Sequence, residues 1–281
     1  MLVGAPAQAQ QGNKTWWTEN TMSYDWTDKV EKEQFSPEWF AEIDQRFIAS
    51  ARHFAHDKQP FDRIIPFEEL SGKKVLEVGC GMGLHTELMA RAGADVTALD
   101  ISPKSVEATR TRLRQKGLDA EVSELDAEHL QAIDEFDFIW SWGVIHHSAR
   151  TGVVLRNLIG ALKPGGELRF MVYNLEGMQA YTVIATRYLA GFWFGKSLDE
   201  QLWRSTDGFL ARYFTRDSIS NLCRTFTDDV EVSLCGLEAD AVPLPRRLRA
   251  LVLPLLSDSY IARKVHERGT FLFVKVRKPR V

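Results

Sequence analysis

The chain has 281 residues, 44% of them hydrophobic, 26% charged and 11% aromatic, and a formal net charge of -3. At about 150 residues per domain this length allows one large α/β domain with insertions or two small ones, and the apolar fraction is enough for a full core. Fibrous, collagenous and disulfide-scaffold architectures are excluded, and no global positive field favours nucleic acid.

The opening segment Met1–Gln10 has small residues but neither the basic n-region nor the apolar h-region of a signal peptide. Residues 1–12 are therefore expected to be a disordered leader. Residues 13–70 form an aromatic-rich N-terminal cap. Within it Trp16 to Trp26 shows no clean period, and Asn20 and Asp25 are turn-formers, so an irregular segment is expected there. Ser36 followed by Pro37 is an N-cap and first-turn signal, and Trp39, Ile43, Phe47, Ala51 and Phe54 follow at helical steps. One helix is predicted from Pro37 to His56.

From Lys73 short apolar runs alternate with helical stretches, the pattern of βαβ units and a parallel sheet. Strands are predicted at Lys74–Val78, Asp95–Leu99, Ala120–Glu124, Phe136–Ser141, Glu167–Tyr173, Val230–Leu234 and Thr270–Arg277. Helices are predicted at Leu84–Ala92, Pro103–Gln115, Val153–Leu162 and Arg216–Phe226. The result is a seven-stranded domain over residues 71–281. Residues 175–215 and 236–269 interrupt the alternation after strand ends, where open α/β sheets bind ligands, so both are candidate substrate walls. The most apolar stretch, Ala180–Gly195, is broken by Arg187 and shorter than the ~20 residues that span a bilayer, so no membrane-crossing helix is expected. Cys80, Cys223 and Cys235 form no CxxC pair, which suits a reducing cytoplasm.

The chemistry concentrates after the first strand. Val75–Gly83 reads as a buried strand entering a turn with glycines at 79, 81 and 83, where the missing Cβ lets the backbone turn tightly and approach a ligand. Glu77 precedes the turn and Asp100 ends the next strand, where a carboxylate can accept both ribose hydroxyls of a nucleoside lying across the strand ends. The Gly-x-Gly-x-Gly spacing is poorly suited to a dinucleotide pyrophosphate.

At this point the chain resembles the class I S-adenosylmethionine-dependent methyltransferases, over roughly Val75 to Val172. Glu77-x-Gly79-x-Gly81-x-Gly83 looks like the first motif of that family, and Asp100, with Ile101 beside it, like its ribose-binding acid. Asp126-Ala127 looks like the pair that meets the adenine. Phe136 to His147, which includes Trp142, is similar to the fourth motif, and Leu162 to Glu167 to the turn before the fifth strand. The resemblance implies a Rossmann-like, doubly wound, mostly parallel seven-stranded sheet with the last strand antiparallel, a helical N-terminal cap and insertions. It also implies S-adenosylmethionine as cofactor.

A methyl sulfonium is already activated, so no metal is expected and positioning of a nucleophile dominates. Trp16, Trp17, Tyr24 and Trp26 read equally well as a lid over the cofactor or as core packing; Tyr24 is counted among the cofactor contacts. A protonated acceptor also needs a base. His146 and His147 follow the fourth strand, and His146 is the expected base, with shaping of the pocket as the other reading. Tyr173 and the Asp207, Arg212 and Tyr213 group are weaker candidates for substrate contact.

No Asp/Asn-Pro-Pro-Tyr/Phe stretch, guanidinium-gripping glutamate pair or magnesium-type acidic cluster is present. The expected acceptor is thus a small molecule with an oxygen, nitrogen or carbon nucleophile, and not nucleic acid. Between Ala241 and Val281 ten Lys/Arg stand against two Asp/Glu, and Pro243–Leu256 joins a basic cluster to an apolar run. Packing on its own domain or on a second copy in a homodimer is expected ahead of membrane contact. The rival readings are a non-catalytic cofactor-binding subunit and an NAD-dependent oxidoreductase.

Overall fold

The alternation of side chains along the strands assigns each strand residue to one of two cores. The computed structural model describes residues 6–24, 29–55, 59–187, 197–244 and 246–280. Its strands are β1 (Lys74–Val78), β2 (Asp95–Asp100), β3 (Glu121–Glu124), β4 (Phe136–Trp142), β5 (Leu162–Asn174), β6 (Tyr213–Phe214), β7 (Val230–Cys235) and β8 (Phe271–Arg277). The helices are α1 (Pro6–Glu19), α2 (Pro37–Ser50), α3 (Leu84–Arg91), α4 (Pro103–Lys116), α5 (Thr151–Ala161), α6 (Met178–Val183), α7 (Leu198–Trp203), α8 (Arg216–Arg224), α9 (Glu238–Ala241), α10 (Arg246–Val252) and α11 (Asp258–Arg268).

The sheet order is β3-β2-β1-β4-β5-β8-β7, with the two-residue β6 added beside the end of β5. β8 pairs antiparallel with both β5 and β7, and the other pairings are parallel. The Rossmann-like architecture and the reversed last strand are thus as expected, while β6 is an addition: the sequence predicts seven strands and the described residues form eight. Two apolar residues are too short a run to be read as a strand.

Leu76, Ile139, Phe170 and Val274 face α5 and α8, forming one core with Leu155, Leu158 and Ile219. Their sequence neighbours Val75, Phe138, Trp140 and Phe273 face the other way, against Phe47, Phe54, Phe61 and Ile65. The 37–70 segment therefore covers one face of the sheet, and only part of the expected cap is free to act as a lid.

Local chemistry sets the helix ends. Ser36 Oγ accepts the Trp39 amide at 3.1 Å to start α2. Ser102 caps α4, and Gly117, in the left-handed region at φ 63°, closes it. The predicted helix to His56 stops instead at Ser50 and continues as a 3-10 turn over Arg52–Phe54; His56 lies outside the described residues.

The N-terminus departs most from expectation. The supposed disordered leader contributes residues 6–12 to α1, and Trp16 and Trp17 continue that helix rather than forming an irregular segment. Residues 1–5 lie outside the described residues, as do Asp25 and Trp26. Helix α1 carries few aliphatic residues and no apolar stripe, so periodicity gives no signal for it. Residues 188–196 of the first insertion are also outside the described residues. Among those described, no helix is long and apolar enough to cross a membrane.

Candidate functional site

One cavity opens at the carboxyl ends of β1, β2 and β4, the edge at which parallel α/β sheets receive ligands. It is lined by Gly79, Gly81, Asp100, Ile101, Asp126, Ala127, Trp142, Tyr24 and His147. These are nine of the twelve site residues that the sequence singles out. Glu77, Gly83 and His146 do not line it.

The glycine turn is built by its backbone. Gly79, Gly81 and Gly83 have φ of 82°, 53° and 80°, which residues with a Cβ rarely adopt. A Cβ on Gly79 would lie 2.0 Å from Val144 Cγ2, so the strand end can approach the loop after β4 only without one. A Cβ on Gly81 meets nothing within 4 Å. Gly83 begins α3 instead of facing the cavity.

Asp100 holds this turn. Its Oδ2 accepts the Gly81 amide at 2.9 Å and its Oδ1 the Ser102 amide at 2.8 Å. Burial pushes its pKa up to about 6, against the bonds from Ser102, Gly81 and Ile101. Each carboxylate oxygen keeps a second lone pair, so the group can still accept two hydroxyls. Asp126 Oδ1 accepts the Glu128 amide at 2.9 Å and the Gln10 side-chain amide at 3.0 Å.

Glu77 points behind the turn. It is 2% exposed, accepts the Thr86 hydroxyl at 2.5 Å, and lies 3.8 Å from His85 Nδ1. Burial pushes its pKa up to about 8, Thr86 opposes the rise and Asp100 adds to it. His85, which does line the cavity, is held neutral: burial, with Arg112 nearby, brings it down to about 3.

Of the two histidines, the expected base His146 is the one that the cavity does not reach. His146 is fully buried, its ring centroid 4.0 Å from that of Tyr173, and burial beside His147 holds its pKa well below the usual value. It does not face the cavity; His147 does. The His147 Nδ1 lies 2.6 Å from the Leu210 carbonyl oxygen, which can only accept, so Nδ1 carries the proton and Nε2 is left as the acceptor. Burial brings its pKa down to about 4, with the Leu210 bond opposing.

This loop is clamped from both sides. Asn13 of α1 donates to the His147 carbonyl at 2.6 Å, and the Ala149 amide donates to Gln10 at 3.0 Å. From the first insertion, Arg212 donates to the carbonyls of Ser148 and Ala149. Arg212 thus acts on the histidine loop, and the Tyr213 ring packs on Tyr173 at 5.3 Å with the two planes tilted by 37°. Tyr173 and Asp207 line the cavity; the second insertion contributes Leu237.

Trp17 packs edge-on against His147 at 5.1 Å, and Trp16 packs on Trp17 at 4.5 Å. Tyr24 stacks on Phe47 at 4.5 Å. Trp17 and Tyr24 therefore face the cavity while Trp16 serves as packing behind it, which divides the two readings of the aromatic cluster. No local pattern in the sequence points to Gln10, Asn13, Gly208 or the Arg112–Asp44 pair. Each acts through a partner at least 60 positions away, beyond the reach of any local pattern.

Comparison with known proteins bears on the class of the domain. Residues 75–166 match a family described as a methyltransferase domain. The chain carries a class I S-adenosylmethionine-dependent methyltransferase domain. It is similar to a ubiquinone biosynthesis O-methyltransferase of Stutzerimonas stutzeri, 31% identical over 123 residues, which are 43% of this chain and 53% of that one. A protein of the same description from Ralstonia nicotianae is 27% identical over 250 residues, covering 86% of this chain and 93% of that one. The chain spans about half the length of the curated relatives that it matches first. In fold it is similar to phosphoethanolamine N-methyltransferase 2 of Haemonchus contortus, solved with phosphomonomethylethanolamine and S-adenosylhomocysteine. The TM-score there is 0.54 at 16% identity, over 90% of this chain and 61% of that one.

The cofactor of this methyltransferase family is S-adenosylmethionine, and the residues present fit it. The turn at Gly81 leaves the space that a Cβ would occupy open, Asp100 retains acceptor capacity, and Asn13 Oδ1 is buried with no hydrogen-bond partner.

Proposed function

We propose that this methyltransferase domain transfers a methyl group to a hydroxyl on a small aromatic acceptor. What carries the reading is one cavity with the glycine turn, Asp100 and Asp126 on one side and Trp17, Tyr173 and His147 on the other. The description of the relatives as O-methyltransferases supports an oxygen nucleophile, and the aromatic walls favour a planar, largely apolar acceptor.

Bound S-adenosylmethionine supplies a methyl sulfonium that needs no further activation. Asp100 would accept the ribose hydroxyls, Asp126 and Ala127 would border the adenine, and the Gly79–Gly81 backbone would lie along the amino-acid end. Trp17 and Tyr173 line the cavity, where they would exclude water and position the acceptor oxygen, and positioning is where most of the acceleration arises. When the acceptor hydroxyl gives up its proton, His147 Nε2 is the group placed to take it. A histidine with a pKa near 4 is unprotonated at neutral pH, and the same burial that keeps it neutral makes it a weaker base than a free imidazole.

The test is calorimetry with S-adenosylmethionine and S-adenosylhomocysteine, followed by transfer of labelled methyl to catechol-type and phenolic acceptors. Saturable binding of both nucleosides with label on oxygen is expected. Binding without transfer to any acceptor indicates the non-catalytic subunit, and NAD binding in place of either nucleoside overturns the family's chemistry for this chain.

A further inference from the structure

The insertion between β7 and β8 exposes leucines that nothing in the described structure covers. Val252, Leu253 and Leu256 pack against Ala241, Val242, Ile261 and Val265, which fixes α10 and the following 3-10 turn onto α9 and α11. On the other side Leu244, Leu248, Leu251 and Leu255 are 39%, 51%, 70% and 82% exposed. They are four of the six exposed large hydrophobics among the described residues, so the patch is a local concentration and not ordinary scatter. Leu248 and Leu251, three residues apart on α10, lie on one side of that helix, with Leu244 before it and Leu255 in the 3-10 turn after it.

Around the patch basic residues outnumber acidic ones: Arg247, Arg249, Arg263 and Lys264 stand against Asp258 and Glu267. Arg247 is exposed; Arg249 is half-buried, donates to the Leu244 carbonyl at 3.5 Å and acts through its charge on Asp240 of α9. On the adjoining α11, Arg263 and Lys264 flank the Tyr260 ring at 5.5 and 5.9 Å. The neighbouring acids are committed elsewhere: Glu238 to Arg52, and Glu267 to Lys264 and Arg263. Asp258 is 3.9 Å from Arg52.

We propose that Leu244, Leu248, Leu251 and Leu255, with Arg247 and Arg249, form a reversible docking surface for anionic phospholipid bilayers. Exposed leucine tips with arginines beside them suit an interfacial segment, since the acyl boundary accepts leucines without shape complementarity and anionic headgroups attract the guanidinium groups. β7 runs parallel to β5, so the insertion leaves the sheet at the cavity edge, and Leu237 at its start lines the cavity. Docking therefore brings the cavity edge to the bilayer surface. Delivery of an apolar acceptor there rests on the methyltransferase reading; docking itself does not.

The test is flotation of the full chain with vesicles of phosphatidylcholine alone or mixed with phosphatidylglycerol, alongside calorimetry with S-adenosylmethionine. Binding to the mixed vesicles at least about tenfold above the neutral ones is expected, weakening as salt is raised. Leu251→Asp with Leu255→Asp is expected to abolish vesicle binding with the thermal midpoint and nucleoside affinity unchanged, and Arg247→Glu with Arg249→Glu to remove the preference for phosphatidylglycerol. Leu255→Ser, at the most exposed position, replaces the double variant if that fails to fold, with a several-fold loss expected. No binding by the native chain, or equal binding by the leucine variants, overturns the proposal. So does a dimer dissociated by the leucine substitutions in sedimentation experiments with no effect on vesicles, which makes the patch a self-interface.

Discussion

The buried guanidinium of Arg112, on α4, clasps both carboxylate oxygens of Asp44, on α2, at 2.6 and 2.8 Å. The same group reaches Glu87 on α3 at 3.0 Å and the Met82 carbonyl of the glycine turn at 2.7 Å, and it lies 4.5 Å over the Phe40 ring. Burial raises the pKa of Glu87, but hydrogen bonds from Arg112 and Arg91 outweigh that and hold it below its ordinary value. One side chain therefore joins the N-terminal segment, the cofactor turn and two sheet-covering helices. Asp44 also lines the cavity, so the clasp lies beside the cofactor site.

Arg112→Ala removes the shared partner of two carboxylates. Breaking a buried pair by deleting one member costs about 3–5 kcal/mol, because the remaining charge is left uncompensated. Urea denaturation is expected to show a loss of that size, with a smaller one for Asp44→Asn, whose side chain is partly solvated. Equal stability of Arg112→Ala and the native chain would show that the clasp contributes nothing.

Asp100 makes cofactor affinity depend on pH. The hydroxyls it is proposed to accept favour the carboxylate, and its pKa without ligand is about 6. S-adenosylhomocysteine affinity is expected to be constant well above pH 6 and to fall below it, by up to about tenfold per pH unit. Asp100→Asn is expected to bind weakly at every pH and to lose that slope. A native affinity identical at pH 5 and pH 7.5 contradicts the ribose assignment.

The glycine turn and Asp100 were legible in the sequence because their constraint is local: positive φ selects glycine, and the acid ends the next strand. The order of the two histidines was not. In the 3-10 turn over Ile145–His147, successive side chains point about 120° apart, so only one of an adjacent pair faces the cavity. Which one depends on how Tyr173 and Leu210 pack, information held in distant parts of the chain. Asn13 and Gln10 were missed for a similar reason, since α1 is fixed by polar contacts to the histidine loop and Asp126 that leave no periodic trace.

Gly79 tests the close approach at that turn. Gly79→Ala places a Cβ 2.0 Å from Val144 Cγ2 at a φ of 82°, so two penalties combine. A loss of more than about 1 kcal/mol is expected from the backbone conformation alone. Adding Val144→Ala relieves the collision but not the strain, so a double-mutant cycle in chemical denaturation is expected to return part of the loss.

Glu77 predicts a stability slope of definite sign. Its folded pKa of about 8 exceeds the unfolded value near 4.5, so the folded state holds a proton that the unfolded state releases. That contribution is fully present below pH 4.5 and is lost as pH rises through 8. His85 and His147, with folded values near 3 and 4, act in the opposite sense only as pH falls below 6.5. Glu77→Gln keeps the shape without the titration, so between pH 6.5 and 8 its thermal midpoint is expected to fall less than that of the native chain, by several degrees. Parallel curves for the two proteins contradict a protonated Glu77.

His147 and Gly208 separate the proposed proton acceptor from its support. A Cβ on Gly208, at φ 96°, would lie 2.6 Å from His147 Nδ1, so Gly208→Ala pushes the ring off the Leu210 carbonyl that fixes its tautomer. His147→Ala removes the acceptor nitrogen altogether. General-base catalysis contributes about 10²–10⁴-fold, so His147→Ala is expected to lower kcat by that order while nucleoside affinity changes little. Gly208→Ala is expected to lower kcat less and to shift its acidic pH limb, because a ring that loses the Leu210 bond titrates at a different pH. His146→Gln, away from the cavity, is expected to reduce stability more than kcat. Were His146→Gln to lower kcat with His147→Ala near the native rate, the proton would leave by way of His146 and the assignment would reverse.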